Sequence, residues 1–150
     1  MKRLLSLAMF TTLATMIGSA NLSAQPQVKP ANLHDKHFDD CANICAECQI
    51  VCEKNFHHCS QLVESGKKEH AKAMILSLDC AEFCTLSAKL TARHSPLAAP
   101  SCETCAKACD ACAAECEKFP DQPEMKACAE TCKKCAASCR EMVKMVGAHH

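Results

Sequence analysis

The sequence contains no tryptophan, no tyrosine and only three glycines among 150 residues. Glycine so scarce argues against a loop-rich scaffold. No stretch alternates apolar and polar residues as a half-buried strand does. Basic residues are not in excess either, since 17 Lys and Arg balance 17 Asp and Glu. The electrostatic footprint of a nucleic-acid binder is therefore missing, and nucleic acid is not expected as a partner. Aliphatic side chains are thin as well. Residues 101–118 include no Val, Ile, Leu, Met or Phe, and beyond residue 24 only 19 residues are Leu, Ile, Val or Phe. That lies below the roughly 20% that an ordinary folded core requires. Something besides hydrocarbon must hold this chain together.

What is abundant is cysteine, with 16 residues, all after position 40. The N-terminus is a separate matter. Lys2 and Arg3 precede an apolar stretch over residues 4–17, and small residues follow at Gly18-Ser19-Ala20 and Leu22-Ser23-Ala24. This pattern predicts a cleaved signal peptide over residues 1–24, too short for a comfortable membrane span. There is no Arg-Arg pair, so the general secretory route is expected. The protein is expected to be exported, periplasmic or secreted, with no membrane association after cleavage.

A leader over 25–34, containing Pro26 and Pro30, leads into a domain expected to occupy 35–150. Breakers divide that domain into four helical segments, over 35–64, 67–93, 101–118 and 123–146. Ser65-Gly66 ends the first and Ser95-Pro96 the second. Ser101 is the expected N-cap of the third, and Pro123 suits the first position of the fourth, which should stop at Gly147. Short connections between four helices predict an all-α, antiparallel four-helix bundle.

The cysteines follow the helical period. They fall at Cys41, Cys45, Cys48, Cys52 and Cys59 in the first segment, and at Cys80 and Cys84 in the second. The third holds Cys102, Cys105, Cys109, Cys112 and Cys116, and the fourth Cys128, Cys132, Cys135 and Cys139. Steps of three and four keep each set on one stripe facing the bundle axis. The fold class is thus a bundle with a Cys-lined core. Cysteine as a small hydrophobe fits one or two such positions, not sixteen. Export permits disulfides. However, cysteines four apart on a helix project nearly parallel Cβ bonds and are poorly placed to bridge. A disulfide-stabilised helical protein remains an alternative.

Metal binding suits the spacing better. Seven C-x-x-x-C pairs can be drawn, leaving only Cys59 and Cys102. Side chains four apart lie about 5–6 Å apart at Cβ, so two sulfurs can converge on one ion. Zinc would want closed four-ligand cages, whereas a continuous column of soft sulfur suits Cu(I). Iron–sulfur ligation is disfavoured because these cysteines lie on long helices rather than loops. All sixteen are candidate Cu(I) ligands.

The segments CANICAECQIVC, CAEFC, CETCAKACDACAAEC and CAETCKKCAASC resemble the four-helix-bundle copper storage proteins, over about residues 35–146. The resemblance implies many Cu(I) ions per chain, a storage or buffering role in copper homeostasis without catalysis, and a homotetramer of bundles. A copper-responsive regulatory partner and a redox enzyme are the other readings, and the second would need an accessible thiolate of low pKa.

Register follows from the numbering. Antiparallel helices place residues of constant summed number at one height. This pairs Cys105, Cys109, Cys112 and Cys116 with Cys139, Cys135, Cys132 and Cys128, and Cys102 with Met142. In the first two segments Cys48 pairs with Cys84 and Cys52 with Cys80, with Ser87 opposite Cys45 and Thr91 opposite Cys41. His34, His37, His94 and Met142, with Met145, His149 and His150, gather towards one bundle end. They are candidate transient ligands at a mouth. His57, His58, His70, Met74 and Met125 lie towards the other.

Overall fold

The computed structural model describes residues 33–147. The signal-like segment, the leader up to residue 32, and His149-His150 lie outside the described residues, as does the side chain of His34. Four helices account for almost all of the rest: α1 (Leu33–Glu64), α2 (Ala71–Ala92), α3 (Ala98–Cys116) and α4 (Pro123–Gly147). No strand occurs among the described residues. None of their helices is long and apolar enough to cross a membrane.

The helix ends have local causes. After α1, Gly66 takes φ +95°. Its N–H donates to Val63 O and that of Lys67 to Leu62 O, the paired bonds of a Schellman stop. A 3-10 turn over Lys68–His70 then leads into α2. The stop recurs after α2, where His94 N–H donates to Thr91 O and Ser95 N–H to Leu90 O. Here the left-handed position, φ 52°, is held by His94 rather than glycine.

Three boundaries differ from expectation, the first being the start of α2, expected at 67 and found at Ala71 after the 3-10 turn. Ser101 does not cap α3, which begins three residues earlier at Ala98, and the Ser101 hydroxyl donates back to Ala98 O. Pro100 is tolerated because the first-turn N–H groups of a helix have no intrahelical acceptor. Likewise α1 begins at Leu33, inside the expected leader. Pro123 does open α4, which is helical through Gly147, the last described residue.

Helix α1 packs against α2 and α4, and α3 against the same two, leaving α1/α3 and α2/α4 as diagonals. Direction is legible from the side-chain pairs. Cys45 meets Cys139, Cys52 meets Cys132 and Cys59 meets Met125 along α1–α4. Ser77 meets Cys112, Cys80 meets Cys109 and Cys84 meets Cys105 along α2–α3. Numbers rise on one helix as they fall on its neighbour, as in antiparallel packing. Across the α1/α3 diagonal, Cys41–Cys102, Cys48–Cys109 and Asn55–Cys116 keep a constant offset of 61 residues, so those two run parallel.

All sixteen cysteines are buried, accompanied mainly by alanine. Hydrocarbon packing is pushed to the flanks, where Ile44, Val51, Leu76, Phe119, Val143 and Val146 sit partly buried against the core. Ion pairs tie the outside, each contributing little on its own. Lys134 reaches Glu47 at 3.2 Å between α4 and α1. Arg140 pairs with Asp110 between α4 and α3. Buried Glu115 accepts from Lys118 at 2.9 Å and from Lys72 of α2 at 3.1 Å. Those two lysines, Lys118 foremost, hold its carboxyl below the usual range.

Candidate metal centre

The inner columns of the four helices set the chemistry. On α1 the column reads Phe38, Cys41, Cys45, Cys48, Cys52, Asn55, Cys59, and on α3 Ala98, Cys102, Cys105, Cys109, Cys112, Cys116. On α4 it reads Met125, Cys128, Cys132, Cys135, Cys139, Met142, with sulfur at every position. On α2 it reads Ala73, Ser77, Cys80, Cys84, Ser87, Thr91. Three walls of the core are thus mainly sulfur, and the fourth is half hydroxyl.

The thiols assemble into five groups whose sulfurs lie within 4.8 Å of one another. From one end these are Cys41/Cys102/Cys139, Cys45/Cys105/Cys135/Cys139, Cys48/Cys84/Cys109/Cys135, Cys48/Cys80/Cys109/Cys132 and Cys52/Cys112/Cys128/Cys132. Each group shares at least one sulfur with the next, so they form an unbroken column rather than separate cages. Zinc sites are closed four-ligand units. Shared sulfurs instead bridge neighbouring ions, which fits Cu(I) with its preference for soft thiolate donors. The closest sulfur pairs stand 3.5 Å apart, among them Cys45–Cys139, Cys52–Cys132, Cys80–Cys109 and Cys84–Cys105. A disulfide needs about 2.05 Å, and all sixteen cysteines are free thiols.

The register expected from the numbering is recovered for four of its pairs. Cys105 with Cys139, Cys109 with Cys135, Cys112 with Cys132 and Cys48 with Cys84 each share a group. Cys52 and Cys80 both contact Cys132, at 3.5 and 3.9 Å. Thr91 reaches Cys102 at 3.6 Å, and Cys102 in turn lies 3.9 Å from Cys41.

Burial raises the cost of every bare thiolate here, and the S–H contacts redistribute that cost. Sulfurs placed to accept are drawn down, as Cys48 is by Cys109 and Cys105 by Cys109. Their counterparts are pushed up, as Cys132 is by Cys109, Cys139 by Cys102 and Cys84 by Cys105. Cys59 stands apart from this exchange. Desolvation pushes its thiol up to about 11, with smaller contributions from Cys128 and Cys112.

The mouth residues are brought together in part. His94 is exposed and stacks on buried Phe38, with ring centroids 4.4 Å apart. Phe38 lies one turn before Cys41. Met142 is buried one turn beyond Cys139. His37 is exposed beside Phe38 in sequence, and Met145 is partly buried. At the other end His70 is buried, stacks on Phe119, and is joined to His58 through Gln122.

The copper storage protein family profile, Csp, matches residues 32–144. The chain belongs to the copper storage protein family. Among solved structures it is similar to the Cu(I)-bound copper storage protein BsCsp3, at 34% identity and a TM-score of 0.65, over 71% of this chain and 98% of that one. It is similar also to the Nmul_A1745 protein from Nitrosospira multiformis, at 32% identity and a TM-score of 0.64, over 74% and 98% of the two chains. A cytosolic copper storage protein from Streptomyces lividans, solved with five coppers, shares the fold at 24% identity and a TM-score of 0.69, over 76% and 98%. No curated protein matches the chain.

In this copper storage protein, sequence reasoning missed several inner-column residues. Asn55 is buried among the sulfurs and donates to Ser77 Oγ at 2.9 Å and to Cys116 Sγ at 3.4 Å. Its Oδ1 has no hydrogen-bond partner, and neither does Ser87 Oγ. Met125 lies 3.6 Å from Cys59. A signal was present, since positions 55 and 125 continue the three-four stepping of their cysteines, although Met125 was placed only towards one bundle end and Asn55 was not noticed.

Proposed function

We propose that this copper storage protein takes up Cu(I) along the whole column, approaching one ion per thiol, with all sixteen cysteines as ligands. The observation that carries this is the sharing of Cys48, Cys109, Cys132, Cys135 and Cys139 between adjacent groups. Half an ion per thiolate would leave every second negative charge uncompensated in a core that buries no Lys or Arg among the described residues, at high cost. One ion per thiolate brings the core to neutrality, each sulfur bridging two ions. Burial of every cysteine also favours a non-enzymatic role, because thiol catalysis needs an accessible thiolate.

His37, His94 and Met142, with His34, serve as transient ligands at the end marked by Cys41, Cys102 and Cys139. Their softer or weaker donation passes Cu(I) inward to thiolates. Residues 1–24 direct export, residues 25–34 form a leader and residues 35–150 carry the store, which acts outside the cytoplasm. Support for export comes from the Lys2-Arg3 start, the apolar stretch and the small residues before Gln25.

The store assembles as a homotetramer through α2. That helix exposes Ile75, Leu78, Phe83 and Leu86, which are among the most exposed large apolar residues described. Exposed large apolar residues gathered on one helix mark an association face.

Anaerobic Cu(I) titration of the fully reduced protein, read as metal per chain with free thiols counted in parallel, tests this reading. Uptake should run well past eight ions, with thiols masked progressively. A sharp end point at four or fewer, with most thiols still titratable, would favour the regulatory or redox alternative.

A further inference from the structure

The sulfur column does not by itself fix how far α1 slides along its neighbours. On α1 the inner residues Cys41, Cys45 and Cys52 each lie seven residues before another cysteine, at Cys48, Cys52 and Cys59. Ile44 and Val51, partly buried on the flank, are also seven apart. Seven residues make about two turns, so a slide of about 10 Å presents the same face of α1 again. The connection over 65–70 can span about 20 Å when extended, enough to follow. One such slide would put Cys41, Cys45, Cys48 and Cys52 where Cys48, Cys52, Asn55 and Cys59 now stand. Sulfur would then fill all of those places. Thiol contacts of 3.5 to 4.0 Å are weak and would re-form in the new alignment.

Asn55 tells the alignments apart. It is buried, and its Nδ2 donates to Ser77 Oγ of α2 at 2.9 Å and to Cys116 Sγ of α3 at 3.4 Å. Ser77 Oγ lies in turn 3.6 Å from Cys112 Sγ. One amide thus ties three helices at a single level. The slide just described would take it away from both partners. A slide the other way would put it in the place of Cys48, whose groups hold only thiols. Its Oδ1 has no hydrogen-bond partner even in the present alignment, which costs stability. A single buried amide that weakens a helical core while favouring one alignment is the known register device of coiled-coil seams.

We propose that Asn55 is a positioning residue, setting the register of α1 in the metal-free bundle through Ser77 and Cys116. The five sulfur groups are thereby assembled before any ion arrives. That consequence rests on the storage reading, whereas the register itself does not.

Amide NMR of the reduced, metal-free, 15N-labelled chain tests this, alongside circular dichroism and thermal unfolding. Wild type should give one set of α1 resonances. Asn55→Leu should keep its helicity and melt no lower than wild type, because an apolar side chain replaces an imperfectly bonded amide. It should nevertheless show a second set of α1 resonances, at least about tenfold stronger than any in wild type, roughly the factor that one buried hydrogen bond carries. Asn55→Ser should show the second set too. Combining Asn55→Ser with Ser77→Asn restores an amide–hydroxyl bond between α1 and α2, and should return a single set. A single set in folded Asn55→Leu overturns the proposal, since a merely stabilising residue would change the melting temperature alone. Should Asn55→Leu fail to fold, the exchanged pair decides, and a second set persisting there overturns the proposal. A wild-type chain that takes up no Cu(I) would instead overturn storage and leave the register role standing.

Discussion

Ser87 sits on the inner column of α2 between Cys84 and Thr91, fully buried, with a hydroxyl that makes no hydrogen bond. An unsatisfied buried hydroxyl costs on the order of 1–3 kcal/mol. Its place in the three-four stepping is one that a cysteine holds on the other three helices. The register sets it near the level of Cys45, between the first two thiol groups. Cysteine is close to serine in shape and far less demanding of a hydrogen-bond partner. Ser87→Cys should therefore leave the metal-free fold as stable or slightly more stable, and raise Cu(I) capacity by about one ion per chain. Metal per chain at saturation and thermal unfolding of the metal-free protein check this together. An unchanged capacity would mean that sulfur on the α2 wall is not what limits loading.

At the scale of the element, α2 differs from its three partners. Its inner column holds only two cysteines, and its outer face carries Ile75, Leu78, Phe83 and Leu86 among exposed charged residues. The inner side is covered by the bundle, and the tetramer proposed above covers the outer. Phe83→Glu combined with Leu86→Glu places two charges on that face without touching the core. Light scattering should then report a smaller assembly than wild type, with helical circular dichroism and Cu(I) capacity per chain retained. Wild type eluting as a single bundle would remove the need for the apolar face to be covered by a second copy.

The four helices and their cysteine columns were legible because three-four stepping admits only one face of a helix. The heights of Cys105 with Cys139, Cys109 with Cys135 and Cys112 with Cys132 followed from antiparallel numbering alone. What escaped notice is equally physical. The α3 start was misplaced because Ser101 after Pro100 looks like a cap, yet a proline in the first turn lacks only an N–H that would go unbonded there. The left-handed stop at His94 left no trace, since glycine is the usual signal for it and histidine is not. Asn55 and Met125 follow the stepping of their columns but are not cysteines. The diagonal contacts, such as Cys48–Cys109, depend on how four helices close into a square, which no pairwise numbering contains.

At the scale of the whole molecule, the core exchanges protons for copper, and pH should expose this. Burial pushes the Cys59 thiol from an ordinary 9.0 up to about 11 in the folded protein. The folded state thus holds its proton more tightly than the unfolded chain does. The stability contributed is fully present below pH 9 and is lost as pH rises through 11. Heating the metal-free protein between pH 8 and 11 should show the melting temperature level up to pH 9 and falling from 9 to 11, and falling less in Cys59→Ala. With copper loaded, the thiolates are held by Cu(I) instead of H⁺. The melting temperature should then be higher at every pH, because metal binds the folded state, and nearly flat from pH 8 to 11. Acid should act in the opposite sense on the loaded protein, with protons competing for the thiolates and a chelator withdrawing copper more readily as pH falls. A metal-free melting temperature that stayed level or rose between pH 9 and 11 would mean that the folded protein does not hold the Cys59 proton more tightly than the unfolded chain does.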